Sequence, residues 1–263
     1  MRAPWRTRSR KSLLADALAA WRRPQGERPF VLGHRGARHA APENTLAAFE
    51  LARREGADGV ELDVRLDGSG RVIVLHDPTL SRVTRGAESR HAEDIPSGEL
   101  SKLDVGAGER VPLLADVLAW ARTHDQRVNI ELKSDVRNAR LLLAGVAQVV
   151  ASQPLPAVLF SSFHPRFVWW LSGHIPSLPR GWLVHEKQRL LKYAPGFRLL
   201  GSNAVHPEQV LASAGRVARL RQAGVLVNVW TVNEPARARE LSRFGVDAII
   251  SDMPGKILSG LSA

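Results

Sequence analysis

The sequence contains no cysteine, which excludes disulfides and thiolate metal sites and fits a reducing compartment. It has no apolar run long enough to span a bilayer, and its N-terminus lacks the continuous apolar stretch of a secretory leader, so a cytoplasmic location is expected. Tyrosine occurs once, and there is no helix-turn-helix pattern and no zinc or RNA-recognition signature. Apart from a basic N-terminus, no repeat or low-complexity segment stands out. What remains is a chain of 263 residues with 44% hydrophobic content, enough to bury one large α/β core.

The net charge of +11 points to nucleic acid or membrane only until its location is considered. Residues 1–23 carry Arg2, Arg6, Arg8, Arg10, Lys11, Arg22 and Arg23 against Asp16 alone, so more than half of the excess lies in a terminal arm. No nucleic-acid partner is therefore expected. Within the arm Trp5, Leu13, Leu14, Ala17, Leu18 and Trp21 recur at roughly helical spacing. This predicts a basic amphipathic helix able to touch anionic lipid, an acidic partner or the protein's own surface. Peripheral membrane contact through the arm stays open, as does the oligomeric state. Pro24-Gln25-Gly26-Glu27-Arg28-Pro29 reads as a linker, which divides the chain into an arm and linker over 1–29 and one domain over 30–263.

From residue 30 onward, apolar runs at 30–34, 58–65, 71–76, 127–133, 157–162, 180–184, 200–205, 225–231 and 246–251 predict strands. Helical patterns fall between most of them, at 44–55, 113–124, 136–151, 207–223 and 234–243. Strands alternating with helices predict parallel βα units. Only Asp67-Gly68-Ser69-Gly70 separates the second run from the third, far too short for a parallel crossover, so the third run is a hairpin return. A turn about Gly68-Ser69 would set Glu61 opposite His76. The remaining runs give the strand count of a (β/α)8 TIM barrel, whose active groups gather at the C-terminal ends of the strands. An open doubly wound sheet is the alternative, because 180–184 and 200–205 are weak strand patterns. Residues 77–112, a long polar stretch after the hairpin strand, read as a small insertion over the barrel mouth. The apolar stretch from Phe163 to Leu171, with Trp169 and Trp170, reads as a buried helix face or a contact surface.

Three charged clusters close apolar runs: His34-Arg35-Gly36, Glu61-Leu62-Asp63 and Glu131-Leu132-Lys133. Charges at the ends of Val/Ile/Leu strands are costly to bury unpaired, which points to a shared ion or anion. Glu61 and Asp63 project from one strand face, and Glu131 can supply a third carboxylate; the set suits a hard divalent cation, Mg2+ or Ca2+, better than zinc. The competing reading is the solvent face of an edge strand. His34 and His76 suit general acid and base roles, and Arg35 and Lys133 suit phosphate oxygens, unless they form only salt bridges to Glu43 or Glu131. Together these groups describe phosphoryl transfer.

At this point the chain resembles the glycerophosphodiester phosphodiesterase family. The matching segments are His34-Arg35-Gly36, Pro42-Glu43-Asn44-Thr45, Glu61-Leu62-Asp63-Val64, His76-Asp77, Glu131-Leu132-Lys133, Ser161-Ser162-Phe163, Trp230-Thr231-Val232-Asn233 and the run from Gly245 to Asp252, in the family's order. The resemblance implies a TIM barrel with a small insertion after the hairpin strand. It also implies hydrolysis of a glycerophosphodiester to sn-glycerol 3-phosphate and an alcohol, through attack of a glycerol hydroxyl and a cyclic phosphate. It assigns the divalent metal to Glu61, Asp63 and Glu131, acid–base catalysis to His34 and His76, and the phosphate to Arg35 and Lys133. Glu43 would orient Arg35 or a histidine, and Trp230 would line the glycerol or alcohol pocket, where core packing is its alternative role. Leu113 stands after Pro112 where the family often has threonine. Because of the basic arm, a lysophospholipase D acting on membrane lysophospholipids with the same site is the alternative substrate reading. A scaffold barrel without catalysis is a third, opposed by the complete set of polar site residues.

Overall fold

The computed structural model describes residues 9–188 and 195–262. Its strands are β1 (Phe30–His34), β2 (Gly59–Leu66), β3 (Val72–Val74), β4 (Arg127–Leu132), β5 (Val158–Ser162), β6 (Arg180–Val184), β7 (Ala204–Pro207), β8 (Leu226–Val229) and β9 (Ala248–Ser251). The helices are α1 (Arg10–Ala19), α2 (Leu46–Arg54), α3 (Ser97–Leu100), α4 (Leu114–Thr123), α5 (Ala139–Ala151), α6 (Pro165–His174), α7 (Ala214–Gln222), α8 (Pro235–Phe244) and α9 (Pro254–Ser262). Local chemistry sets many of their starts. Thr45, Asn138 and Ser213 cap α2, α5 and α7 through side-chain oxygens, and prolines open α6 and α8.

Parallel pairing runs in the order β1, β9, β8, β7, β6, β5, β4, β2, and β1 pairs with β2 to close the ring. Eight parallel strands thus form a (β/α)8 barrel, and the open-sheet alternative is excluded. Inside it, alternate residues stack in layers. Leu32, Leu159, Ala204, Leu226 and Ile250 form an apolar layer, while the inward residues nearer the strand ends include the buried Asn129, Ser161, His206 and Asn228.

The antiparallel β3 is the predicted hairpin return, but its register differs from the one expected. Val64 pairs with Val74 and Leu66 with Val72, one residue out of step with a Gly68-Ser69 turn. The loop is Gly68-Ser69-Gly70: Asp67 N–H donates to the Arg71 carbonyl at 3.0 Å, and Gly70 takes the left-handed φ of +77° that such a three-residue turn needs. The Asp67 carboxylate accepts from the N–H groups of Ser69 and Arg71, which locks it. Glu61 therefore does not face His76 across a ladder. The strand ends at Val74, and His76 reaches the barrel mouth beyond the paired segment.

Residues 77–112 pack around their own small core of Leu80, Ala92, Ile95 and Leu100 against Ile73 and Leu75. From this insertion Arg82 reaches back to Asp77 and Glu43. Two expected boundaries also shift. β7 starts at Ala204, after Ser202 and Asn203 bond through their side chains to the Arg180 backbone, and α7 starts at Ala214 after a 3-10 turn at Gln209–Leu211. In α6, Phe167, Val168 and Leu171 are buried, Trp170 stacks on His174, and Trp169 is exposed.

Trp5, Arg2, Arg6 and Arg8 lie outside the described residues. In the rest of the arm the expected amphipathic helix is not a packed one: α1 buries none of its residues and Leu13 is exposed, and only the segment at its C-terminal end meets the barrel. Trp21 is fully buried under the apolar layer at the N-terminal end of the barrel, with Leu18 and Ala20 beside it. Arg22 donates to the carbonyls of Gly224 and Val225 and pairs with Asp247, whose carboxylate also accepts from the Arg23 N–H. Arg127 Nε donates to the Ala20 carbonyl. Replacing Trp21 with alanine should therefore cost about 3–5 kcal/mol of stability. Urea unfolding would read it as an unchanged slope with a lower midpoint, and an unchanged midpoint would mean that the indole does not close the barrel.

Candidate active site

The C-terminal ends of the strands carry the charged clusters. β1 delivers His34, and the chain then turns through Arg35 and Gly36, at φ +55° and +83°. Gly36 cannot be replaced without displacing α2, since a Cβ there would stand 2.5 Å from the backbone carbon of Ala48. That turn aims the Arg35 N–H at Glu61 Oε2, 3.1 Å away.

β2 and β4 bring Glu61, Asp63 and Glu131 together, all buried, with one oxygen of each within 4.8 Å of the others. Asn44 Nδ2 donates to Asp63 Oδ2 at 2.9 Å. Lys133 Nζ donates to Glu131 Oε1 at 2.9 Å and lies 3.4 Å from Asp63 Oδ1, while Arg35 Nε stands 3.2 Å from Asp63 Oδ2. Burial, together with the charges of Asp63 and Glu131, holds the Glu61 carboxyl well above the usual carboxylate range. Glu131 is pushed up to about 7 by burial, against the pull of Lys133. Asp63 is equally buried, yet Lys133, Arg35, His76 and the Asn44 amide hold it below its ordinary value. Three carboxylates crowded into low dielectric thus resist sharing their charge, a strain that a bound cation relieves.

Each histidine is held by a carboxylate. His34 Nδ1 lies 2.6 Å from Asp252 Oδ1, and His76 Nδ1 lies 2.7 Å from Asp77 Oδ1. Asn233 supports Asp252 twice, its Nδ2 donating at 2.8 Å and its Oδ1 accepting the Asp252 N–H at 2.9 Å. Burial raises Asp252, but His34, Asn233 and Arg38 outweigh it and bring the carboxyl down to about 2. Burial also lowers His76, and Lys133 and Arg35 add to this against the opposing charge of Asp63. Arg82 donates to Asp77 at 2.6 Å and to both oxygens of Glu43, which accepts in turn from Arg35 at 3.0 Å. Glu43 therefore links the Arg35 guanidinium to the carboxylate that holds His76.

These groups surround one cavity of about 190 Å3, lined by His34, Arg35, Glu61, His76, Asn129, Glu131 and Lys133 on its polar side. Phe163, Leu183, Trp230 and Ile250 give the apolar side, with His185 and Thr231 beside them. Trp230 is half-buried, meets Phe163 edge-on at 5.4 Å, and donates its indole N–H to the His206 carbonyl at 2.8 Å. All nine residues singled out from the sequence thus stand in or against this site. Sequence reading gave no role to Asn44, Asp77, Arg82, Asn233, Asp252 or His185. Asp252 closes an apolar run just as Glu61 and Glu131 do, and that signal could have marked it; Arg82, inside a polar loop, carries none.

Residues 34–256 match the glycerophosphoryl diester phosphodiesterase family. A glycerophosphodiester phosphodiesterase of Caldanaerobacter subterraneus is 31% identical over 242 residues, covering 88% of this chain and 96% of that protein. A phosphodiesterase of Oleispira antarctica, solved in complex with the product sn-glycerol-3-phosphate, aligns with a TM-score of 0.81 at 31% identity, over 89% of this chain and 97% of its own. A putative glycerophosphoryl diester phosphodiesterase from Silicibacter pomeroyi aligns with a TM-score of 0.84 at 25% identity, over 94% and 97% of the two chains. With the barrel, the carboxylate cluster and the match across nearly the whole domain in agreement, the chain belongs to the glycerophosphoryl diester phosphodiesterase family.

Proposed function

We propose that this phosphodiesterase hydrolyses a glycerophosphodiester to glycerol 3-phosphate and an alcohol, with a divalent cation on Glu61, Asp63 and Glu131 and with His34 and His76 as its acid–base pair. The observation that carries the reading is the convergence on one cavity of a buried carboxylate triad, two histidine–carboxylate pairs, an arginine and a lysine. The donor set fits the ion: three carboxylates without sulfur or imidazole suit Mg2+ or Ca2+, and the Glu61 and Glu131 carboxyls, raised by burial and then by neighbouring carboxylate charge, favour a site that a cation would neutralise. When bound, such an ion supplies a Lewis acid for the phosphate oxygens.

The chain's own groups account for the proton traffic. His76, held below the usual imidazole value, is neutral near pH 7 and accepts the proton of the attacking glycerol hydroxyl at Nε2. His34, its ring oriented by the contact of Nδ1 with the Asp252 carboxylate, donates from Nε2 to the departing alcohol oxygen. As water opens the resulting cyclic phosphate, the two exchange roles. Arg35 and Lys133 stand at the carboxylate cluster and supply positive charge to the phosphate oxygens.

One feature favours a soluble diester over a membrane lysophospholipid. The described part of the basic arm, which motivated the lysophospholipase D alternative, meets the barrel through Trp21 at the end opposite the mouth. Among the described residues no helix is long and apolar enough to cross a membrane. The test is release of glycerol 3-phosphate from glycerophosphocholine with and without EDTA, beside a lysophosphatidylcholine assay. Cation-dependent release from the soluble diester is expected; turnover of the lysolipid alone would reverse the assignment.

A further inference from the structure

We infer that His185 is a specificity-determining residue whose Nε2–H donates to a hydroxyl of the glycerol half of the substrate, an inference that rests on the glycerophosphodiester reading above. β6 places this ring at the mouth, immediately after Val184. In the closed ring of strands β6 stands three places from β2 and four from β1, across the barrel from Glu61, Asp63 and His34. A phosphate held on the β1, β2 and β4 side directs the organic part of the substrate toward the β6 and β8 side.

That wall is apolar, formed by Phe163, Leu183, Trp230 and Ile250. His185 packs at 5.8 Å from the Trp230 ring and brings a polar edge to it. Its tautomer follows from its neighbours. Nδ1 accepts the Lys187 N–H at 3.1 Å, so in the neutral ring the proton is on Nε2. Glu208 Oε2, which accepts the Glu186 N–H at 3.0 Å, lies 3.5 Å from Nδ1 on the same edge of the ring. Nε2 has no partner among the described residues, and the ring lines the cavity. One oriented donor on an apolar wall matches a polyol, whose C–H faces pack on the aromatic rings while a hydroxyl takes the hydrogen bond.

A site built to bond a hydroxyl discriminates against the analogue lacking it. The experiment compares kcat/KM for glycerophosphocholine with that for 2-hydroxyethyl phosphocholine, which keeps a hydroxyl vicinal to the phosphoester but lacks the third carbon and its hydroxyl. The wild type should prefer the glycerol substrate, and His185→Phe and His185→Ala should each reduce that preference about 10- to 100-fold. These two changes remove the donor with opposite effects on volume, so agreement between them separates the hydrogen bond from packing. His185→Gln, which returns a side-chain N–H, should recover part of the preference. An unchanged ratio in both truncations, or a parallel loss on both substrates, would overturn the inference. A wild type that releases no glycerol 3-phosphate from glycerophosphocholine would instead remove the reading beneath it, and the inference with it.

Discussion

Asp63→Asn is expected to abolish divalent cation binding and to lower kcat/KM by about 10^3-fold or more, equivalent to at least about 4 kcal/mol of transition-state stabilisation. Asp63 is the member of the carboxylate triad whose charge is best secured in the absence of an ion. Lys133, Arg35, His76 and Asn44 hold it ionised despite complete burial, whereas Glu61 and Glu131 are driven toward protonation. It is therefore the anionic ligand present before the cation arrives, and binding must deprotonate its two neighbours. The same linkage sets a pH trend: with Glu131 at about 7, cation affinity should weaken as pH falls through neutrality, because protons then compete for the site. The amide keeps the volume of the carboxylate, Lys133 keeps Glu131 and Arg35 keeps Glu43, so the fold should persist. Calorimetric titration with Mg2+ and with Ca2+, beside initial rates, reads both effects. Wild-type cation affinity in the variant would show that the triad is a structural cluster and that the cation, if any, binds elsewhere.

The parts of this molecule legible in its sequence are those that local periodicity determines. Strands buried on both faces read as Val/Ile/Leu runs, so the few charges closing them, Glu61, Asp63, Glu131 and His34, could be located without coordinates. The two-residue spacing of Glu61 and Asp63 also placed them correctly on one face. What failed was local chemistry of another kind. The hairpin register turned on Asp67, whose carboxylate caps a three-residue loop, and the shift of one residue separated Glu61 from the position assigned opposite His76. Tertiary partners were illegible as well. Leu18 and Trp21 fit a membrane-facing stripe as well as a barrel plug, and only the apolar layer of Leu32, Leu159 and Ile250 above them decides between the two. Asp252 and His34 are far apart in sequence, and no spacing rule pairs them, although the closed β1–β9 pairing makes them neighbours.

His34→Ala should lower kcat by about 10^2- to 10^4-fold while leaving cation affinity unchanged. His34 Nε2 stands 4.0 Å from Glu61 Oε2, near the carboxylate triad without being one of its members, and calorimetry on the variant should give the wild-type titration. The pH profile distinguishes loss of an acid from general damage. In the wild type, activity should fall on the acid side as His76 takes up a proton, and because burial, Lys133 and Arg35 hold that ring below its ordinary 6.5, this limb lies below pH 6.5. The variant keeps His76 and should keep this acid limb. Asp252→Asn removes the carboxylate that orients the His34 ring, so it should lower kcat by a smaller factor than His34→Ala. A His34→Ala variant with wild-type kcat would assign the acid role to another group, and a loss of cation binding would return His34 to the metal site.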